Sequence, residues 1–133
     1  MTDSATNWTD LREFKAVDLT ASFVLSWHIE RDALLLDIDL CLTPEHAFYE
    51  APRPSEEACI RPSVLEFPHC TQLGAADSVA ADDAIRGLAG RIGHGRINGF
   101  QRIDDGVYRL KGYFGVVVVR SERPILRLKS LLV

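Results

Sequence analysis

Four side chains that could do acid–base chemistry lie in two neighbouring segments of the chain. They are Ser26, His28, Asp37 and Asp39. A histidine held by a carboxylate is the basic unit of general-base catalysis, and two carboxylates can act as a paired acid and base. The alternative is that these residues form the solvated polar face of an antiparallel sheet, which involves no catalysis. We favour this second interpretation and keep the four as catalytic candidates.

A second set of candidates lies in the proline-rich segment 43–58, which contains His46, Phe48, Tyr49 and Glu50. A connection longer than ~12 residues inside a compact domain is often functional. Aromatic side chains in a loop stiffened by proline are good anchors for a partner or ligand. They can equally well close the open end of a sheet or barrel. We predict that these four residues form a binding site.

Thiol and imidazole groups raise the question of a metal site. The candidate ligands are Cys59, His69 and Cys70, with Cys41 or His46 as a further ligand. Their spacing matches no zinc motif, and neighbouring residues on a strand point to opposite faces. We therefore predict no metal ion and no cofactor, and we expect the cysteines to be buried as small apolar residues.

One glycine-rich segment, 87–96, carries two arginines that could hold a phosphate or a carboxylate. Phosphate-binding loops precede a helix, whereas this segment follows the helix that we predict over residues 75–92. A flexible exit from that helix is therefore the preferred interpretation of the glycines.

The four polar candidates depend on a hairpin of two strands, 22–29 and 34–42, in which apolar and polar residues alternate. The pairs expected for a two-residue loop are Trp27 with Leu36 and Ser26 with Asp37. One face would hold nine apolar side chains, namely Phe23, Leu25, Trp27, Ile29, Leu34, Leu36, Ile38, Leu40 and Leu42. The other face would hold Ser26, His28, Asp37, Asp39 and Cys41. Such a register is strongly specified, because a slip of one residue would expose the apolar set.

The rest of the chain predicts further strands and at most two helices. The predicted strands cover residues 59–67, 96–102, 107–114 and 116–119 and a last strand that begins at Ile125. The predicted helices cover residues 10–15, capped by Thr9, and residues 75–92, with Val79, Ile85, Leu88 and Ile92 toward the core. Pro62 lacks an amide N–H, which places its strand at an edge or a bulge, or splits it. The Asp105-Gly106 pair predicts a hairpin turn.

We therefore predict a mainly β (α+β) fold. It consists of an antiparallel sheet of about seven strands, curled into a barrel or sandwich, with one or two short helices. Apolar residues make up 47% and charged residues 26% of the 133 residues, which suits a single globular domain over residues 1–133 and excludes a disordered chain. No run approaches the ~18 apolar residues of a membrane helix, and no secretory signal is evident. Three widely spaced cysteines favour a reduced, cytoplasmic chain.

Charge is unevenly distributed around the net charge of −4. Residues 30–57 hold eight acids and two bases, whereas residues 107–133 hold six bases and one acid. The two halves could pair across the sheet and neutralise each other, or the acidic half could attract a basic partner. Because the chain as a whole is not basic, we do not expect it to bind nucleic acid.

These patterns predict a small non-enzymatic binding protein that presents an acidic face and an aromatic loop to a protein partner, in the manner of an immunity protein that blocks a basic toxin domain. The alternative is a small-molecule-binding β-barrel or a minor enzyme that uses the Ser/His/Asp face. The run 116–119 consists of four valines, which are apolar on both faces of a strand. Such a strand needs a second cover, so we also expect a homodimer. We do not expect the chain to bind a membrane.

Overall fold

The computed structural model describes residues 5–129, which form one antiparallel sheet of ten strands that is not closed. The strands are β1 (Thr6–Asn7), β2 (Val17–Glu30), β3 (Ala33–Leu42), β4 (Cys59–Phe67), β5 (Gln72–Ala75), β6 (Ser78–Ala81), β7 (Gly95–Asp104), β8 (Val107–Gly112), β9 (Gly115–Arg120) and β10 (Ile125–Leu128). One α-helix, α1 (Ala84–Ala89), and two single-turn 3-10 helices, Trp8–Asp10 and Arg12–Phe14, complete the fold. The prediction of a mainly antiparallel β fold with few short helices is confirmed.

The sheet coils around a single hydrophobic core. Its strand order is β10-β4-β3-β2-β7-β8-β9-β5-β6, and β1 pairs with β7. Three strands separate β4 from β8, yet the ring centroids of Phe67 and Tyr108 lie only 5.8 Å apart. Phe100 on β7 stacks against the same Phe67 at 6.1 Å. Because side chains from both halves of the sheet meet in this way, one core serves the whole domain.

The first hairpin has the predicted register at its tip. Its turn consists of Arg31 and Asp32, and the pairs are Trp27 with Leu36 and Ser26 with Asp37. Farther from the turn, an irregularity between Val24 and Ser26 reverses the faces of β2. Val24 is fully buried, whereas Phe23 and Leu25 are 44% and 48% exposed. The prediction that Phe23 and Leu25 face the core is therefore wrong, because one extra residue moves every side chain beyond it to the opposite face.

A second irregularity in β2 is compensated by a buried serine. Ser22 lies between the paired positions Asp18 and Phe23, where the ladder to β3 is interrupted. Its hydroxyl accepts a hydrogen bond from the N–H of Cys41 at 2.9 Å and donates one to the carbonyl of Asp18 at 2.7 Å. The Ser22 hydroxyl thus takes the place of the backbone acceptor that the N–H of Cys41 lacks at this interruption. Without it, a buried N–H would have no partner, which is costly.

The helix predicted over residues 75–92 is wrong in its first half. Residues 72–81 form the β5–β6 hairpin instead, with a turn at Ala76 and Asp77. Both turn residues have positive φ, 50° and 63°, as a type I′ hairpin turn requires. β5 pairs with β9, and this pairing outweighs the helical propensity of the alanines. Within α1, Ile85 is buried as predicted.

The remaining predictions for the two helices are correct at some residues and wrong at others. Leu88 is buried and Ile92 packs against the core, but Val79 lies on β6 and is 72% exposed. The helix predicted over residues 10–15 is replaced by the two 3-10 turns, and Thr9 caps neither of them. Phe14 is nevertheless buried, so tertiary packing and not capping holds this segment.

The prediction that Pro62 places its strand at an edge or a bulge, or splits it, is wrong, because β4 is an inner strand with a continuous register. β4 pairs with β3 along its whole length and with β10 over residues 63–66. The carbonyl of Pro62 accepts the N–H of Lys129, so the missing proline N–H also points toward β10. Because the paired part of β10 ends at Leu128, the strand tolerates the proline there.

The C-terminal strands lie close to their predicted positions, and the Asp105-Gly106 turn joins β7 to β8. Residues 43–58 contain no helix or strand. In β9, Val117 and Val119 are fully buried, whereas Val116 is half exposed. No helix within residues 5–129 is long and apolar enough to cross a membrane.

Candidate functional site

The hairpin register brings three of the four catalytic candidates together on the outer face of the sheet. The Ser26 hydroxyl donates a hydrogen bond to Asp37 Oδ2 at 2.8 Å. His28 Nδ1 lies 3.9 Å from the same oxygen, which is beyond hydrogen-bond distance. His28 Nε2 lies equally far, 3.9 Å, from Glu30. Asp39 lies between Phe23 and Pro62 of the adjacent strands. The histidine is therefore near the carboxylate without being held by it.

A cation that the sequence analysis did not assign to this face decides its electrostatics. Lys129 Nζ lies 2.9 Å from Asp37 Oδ1. Burial raises the pKa of Asp37, but the Lys129 ammonium and the Ser26 hydroxyl outweigh burial and bring that pKa below its ordinary value. A carboxylate with a low pKa is a weak base, so this geometry favours an ion pair over acid–base catalysis. The sequence feature that could have identified Lys129 as part of this face is the alternation of Arg127 and Lys129 along the last strand.

Sequence reasoning also missed the shortest imidazole–carboxylate contact within residues 5–129. His69 Nδ1 lies 2.6 Å from Asp32 Oδ2, and His69 Nε2 lies 3.9 Å from Glu122. Both partners are more than half exposed. The backbone reinforces the junction, because the N–H of Cys70 donates to the carbonyl of Asp32 at 2.8 Å. These contacts join the β2–β3 turn to the segments that precede β5 and β10.

The thiol of Cys70, beside this junction, is poorly suited to act as a nucleophile at neutral pH. Burial raises the pKa of Cys70 to about 11 and also raises the pKa of Cys41. The thiol form therefore predominates, and the thiolate is the reactive species. All three cysteines are buried and free, as the sequence predicted. Across residues 5–129, no three His, Cys, Asp or Glu side chains are arranged to hold a metal ion.

The glycine-rich segment and the helix residue that precedes it have a structural role. The indole N–H of Trp27 donates to the carbonyl of Gly93 at 2.8 Å, and Arg86 donates to the carbonyl of Ile29 at 3.1 Å. These bonds attach α1 and the segment that follows it to the first hairpin. Gly95, with φ of 138°, adopts a conformation that side chains disfavour, and an added Cβ would lie 2.5 Å from the Cβ of Tyr113.

The aromatic loop over residues 43–58 forms a groove with the edge strand β10. Three of the four predicted binding residues, His46, Phe48 and Glu50, line this groove. Its opposite side consists of residues 126–129, and its volume is about 640 Å³. The fourth predicted residue, Tyr49, packs against the core instead. The loop thus both closes the core and presents side chains outward.

Short contacts hold the loop in place beside β10. The carboxylate of Glu50 lies 2.6 Å from the guanidinium of Arg61, whose side chain is mostly buried. His46 Nδ1 accepts the N–H of Phe48 at 3.1 Å, and the two rings lie 6.0 Å apart. Phe48 nevertheless remains 66% exposed. An exposed aromatic side chain on a loop that its own contacts hold in place is a suitable anchor for a partner.

β10 leaves one row of its backbone groups without a strand partner among the residues that the structure describes. It is an edge of the sheet, and within residues 5–129 it pairs with β4 alone. The N–H of Lys129 points toward β4, where it bonds to Pro62. Successive residues of a strand direct these groups to opposite sides, so the N–H and C=O of Leu126 and Leu128 point to the open edge. This edge runs along the groove.

Comparison with known proteins adds no relative to this description. No protein-family model, no curated protein and no solved structure matches the chain.

Proposed function

We propose that this chain is a protein-binding module that takes an extended segment of a partner at the open edge of β10, beside the aromatic loop. The observation that carries the proposal is the coincidence of an unpaired strand edge with an apolar groove. An extended segment added to such an edge gains backbone hydrogen bonds, and alternate side chains enter the groove. Phe48 provides its exposed apolar side chain, and Leu126 and Leu128, which also pack against the core, line its other side.

The charges on β10 disfavour the most complete antiparallel overlap of β10 with a second copy of itself. Antiparallel addition of β10 to itself, with Leu126 hydrogen-bonded to Leu128 of the second copy, would place Arg127 directly opposite its own equivalent. Like charges in that position are destabilising. Arg127 and Lys129 instead pair with Glu66 and Asp37 of the same chain. These two ion pairs neutralise two carboxylates in the acidic first half of the chain. We therefore place docking at the aromatic loop and not at the acidic face.

The alternative, a ligand-binding or catalytic role for the Ser26, His28, Asp37 and Asp39 face, has less support. Its central carboxylate already has a cation and a hydroxyl as partners.

We also propose that the chain acts as a homodimer in the reducing cytoplasm. The three free, buried cysteines support this compartment, because oxidising compartments favour disulfide bonds whereas the cytosol keeps thiols reduced.

Site-specific photocrosslinking in the native cell tests the docking surface. A photoreactive phenylalanine analogue at position 48 should give one discrete crosslinked product. The same analogue at position 113 is the matched control, since Tyr113 is also an exposed aromatic residue, at 85%. Leu128→Pro removes an N–H that points to the open edge and should abolish the product while the protein still folds. Equal crosslinking at both positions, or a product that survives Leu128→Pro, would overturn the proposal.

A further inference from the structure

A small polar pocket lies on the outer face of β7 and β8, apart from the groove beside β10. Its lining consists of Asn7, Asn98, Gly99, Phe100, Gln101, Arg109 and Lys111. The pocket measures about 200 Å³. It therefore combines two cations and three side-chain amides with no carboxylate.

The strand register assembles this lining from three segments. Gln101 lies directly opposite Arg109, and Gly99 lies directly opposite Lys111. Asn98 is the extra residue of a bulge between Ile97 and Gly99, and such bulges commonly redirect a side chain beside a site. Asn7 enters from β1, where it pairs with Gln101. The polar groups thus converge through pairing of the sheet and not through a loop.

Arg109 carries a donor that residues 5–129 leave unused. Its Nη2 donates to Gln101 Oε1, which fixes the plane of the guanidinium. Its Nε is buried and has no hydrogen-bond partner among those residues. Neither Arg109 nor Lys111 forms an ion pair with a residue in the range 5–129. Since these two cations have no carboxylate partner among the described residues, an external anionic acceptor in the pocket would offset their charge.

The floor of the pocket has room for such an acceptor. A Cβ added at Gly99 would meet no atom within 4 Å. The position opposite Lys111 is therefore open, although a side chain would ordinarily fill it. Small-molecule pockets usually exceed ~300 Å³, so this smaller pocket suits a single ionic group.

We propose that this pocket binds a phosphate group, with Arg109 and Lys111 as its cationic ligands and the amides as further hydrogen-bonding groups. A phosphate group carries about −1.5 to −2 at pH 7, which two cations balance, whereas a carboxylate carries a single charge. The group is either free phosphate or the terminal group of a small phosphate ester. The proposal is independent of partner binding at β10.

Titration with sodium phosphate at constant ionic strength tests this site. The readout is the NMR signal of the Arg109 Nε–H, which is assigned by its disappearance in Arg109→Lys. We expect a saturable shift with phosphate, competition by sulfate, and little effect of acetate. Phenyl phosphate is titrated in parallel. Binding of both compounds identifies an ester-terminal group as an acceptable ligand, and binding of inorganic phosphate alone identifies the free ion; either result supports the site.

Matched variants separate a specific site from general screening of charge. Lys111→Met should weaken phosphate binding about tenfold or more. Gly99→Glu places a carboxylate opposite Lys111 and should abolish binding while the thermal midpoint is kept or raised. Arg91→Gln removes an exposed arginine outside the pocket and should leave binding unchanged. An Arg109 signal that phosphate does not move, or equal binding by all three variants and the unmodified chain, would overturn the proposal.

Discussion

The ionisation of Asp37 is the clearest electrostatic consequence of the hairpin's polar face. A pKa below the ordinary value of 3.8 means that the ionised carboxylate stabilises the folded state above that pH. This contribution is lost as the pH falls through the lower pKa of the folded protein. Burial raises the pKa of Asp37, and the Lys129 ammonium and the Ser26 hydroxyl together lower it by more.

We expect Lys129→Met to raise the pKa of Asp37, because burial of the carboxylate remains while its cation is removed. The free energy of unfolding at pH 7 should fall by no more than ~1 kcal/mol, since the ammonium is partly exposed and solvent screens it. Carboxyl NMR titration checks the pKa, and denaturation at pH 7 and at pH 2 checks the stability. Arg127→Met is the control, because Arg127 pairs with Glu66. An Asp37 pKa equal in both variants would contradict this account.

Among the strands and turns, the bulge in β2 determines which aromatic side chain supports the core. Trp27 is buried, contacts the edge of Phe114 at a centroid distance of 5.1 Å, and donates to Gly93. We expect Trp27→Ala to cost ~3–5 kcal/mol of unfolding free energy, as truncation of a large core residue does. Chemical denaturation measures this.

Two neighbouring substitutions serve as controls for Trp27→Ala. Phe23→Ala changes a similar ring on the same strand, but Phe23 is exposed and its ring contacts the Arg96 guanidinium at 5.6 Å. It should cost less than ~1 kcal/mol. His28→Ala should also have a small effect. If Phe23→Ala proved as destabilising as Trp27→Ala, the assignment of faces along β2 would be wrong.

The β5–β6 turn contains residues that are poorly suited to its backbone. Ala76 has φ of 50°, a left-handed conformation that costs a non-glycine residue about 1–2 kcal/mol. Asparagine adopts this conformation more readily and is preferred in type I′ turns. We therefore expect Ala76→Asn to stabilise the protein by about 0.5–1 kcal/mol, measured as a raised denaturation midpoint. A lowered midpoint would show that these residues do not form this turn.

At the scale of the whole molecule, the outer face of β9, β5 and β6 forms a valine patch. Val118 and Val79 both lie opposite Gly74, which has no side chain between them, and Val116 continues the patch along β9. Val79 is 72% and Val116 is 52% exposed. A second copy that covers this face would supply the cover that the valine run predicts.

We expect light scattering to give twice the chain mass of 14.8 kDa. Val79→Lys should restore the mass of a single chain, because a charge in an apolar interface is costly to bury. Ile125→Lys, on the outer face of β10 and 47% exposed, should not. A mass of a single chain that persists to ~100 μM would exclude a dimer tighter than the ~8 kcal/mol of a micromolar complex.

Much of the sheet could be predicted because its signals are local. The alternation in 34–42 and the Asp105-Gly106 pair each specify a strand or a turn within a few residues. Three residues that line the groove, His46, Phe48 and Glu50, belong to the loop that the sequence analysis singled out, and their role in binding stays a prediction. The other side of the groove, residues 126–129, was not assigned to it, because no local pattern links two segments about 80 residues apart. The sequence did not predict the pocket on β7 and β8 for the same reason, since Asn7, Asn98 and Arg109 meet only through the pairing of β1, β7 and β8.

The sequence by itself determined the class of the fold, the tip of the first hairpin and the burial of the three cysteines. Those features follow from period-two alternation and from the low polarity of the thiol. Tertiary structure decided the rest. The bulge at Leu25 exchanged the faces of β2, and pairing with β9 turned an alanine-rich segment into the β5–β6 hairpin. Both outcomes depend on strands that are distant in sequence, whose hydrogen bonds and core contacts outweigh local preference.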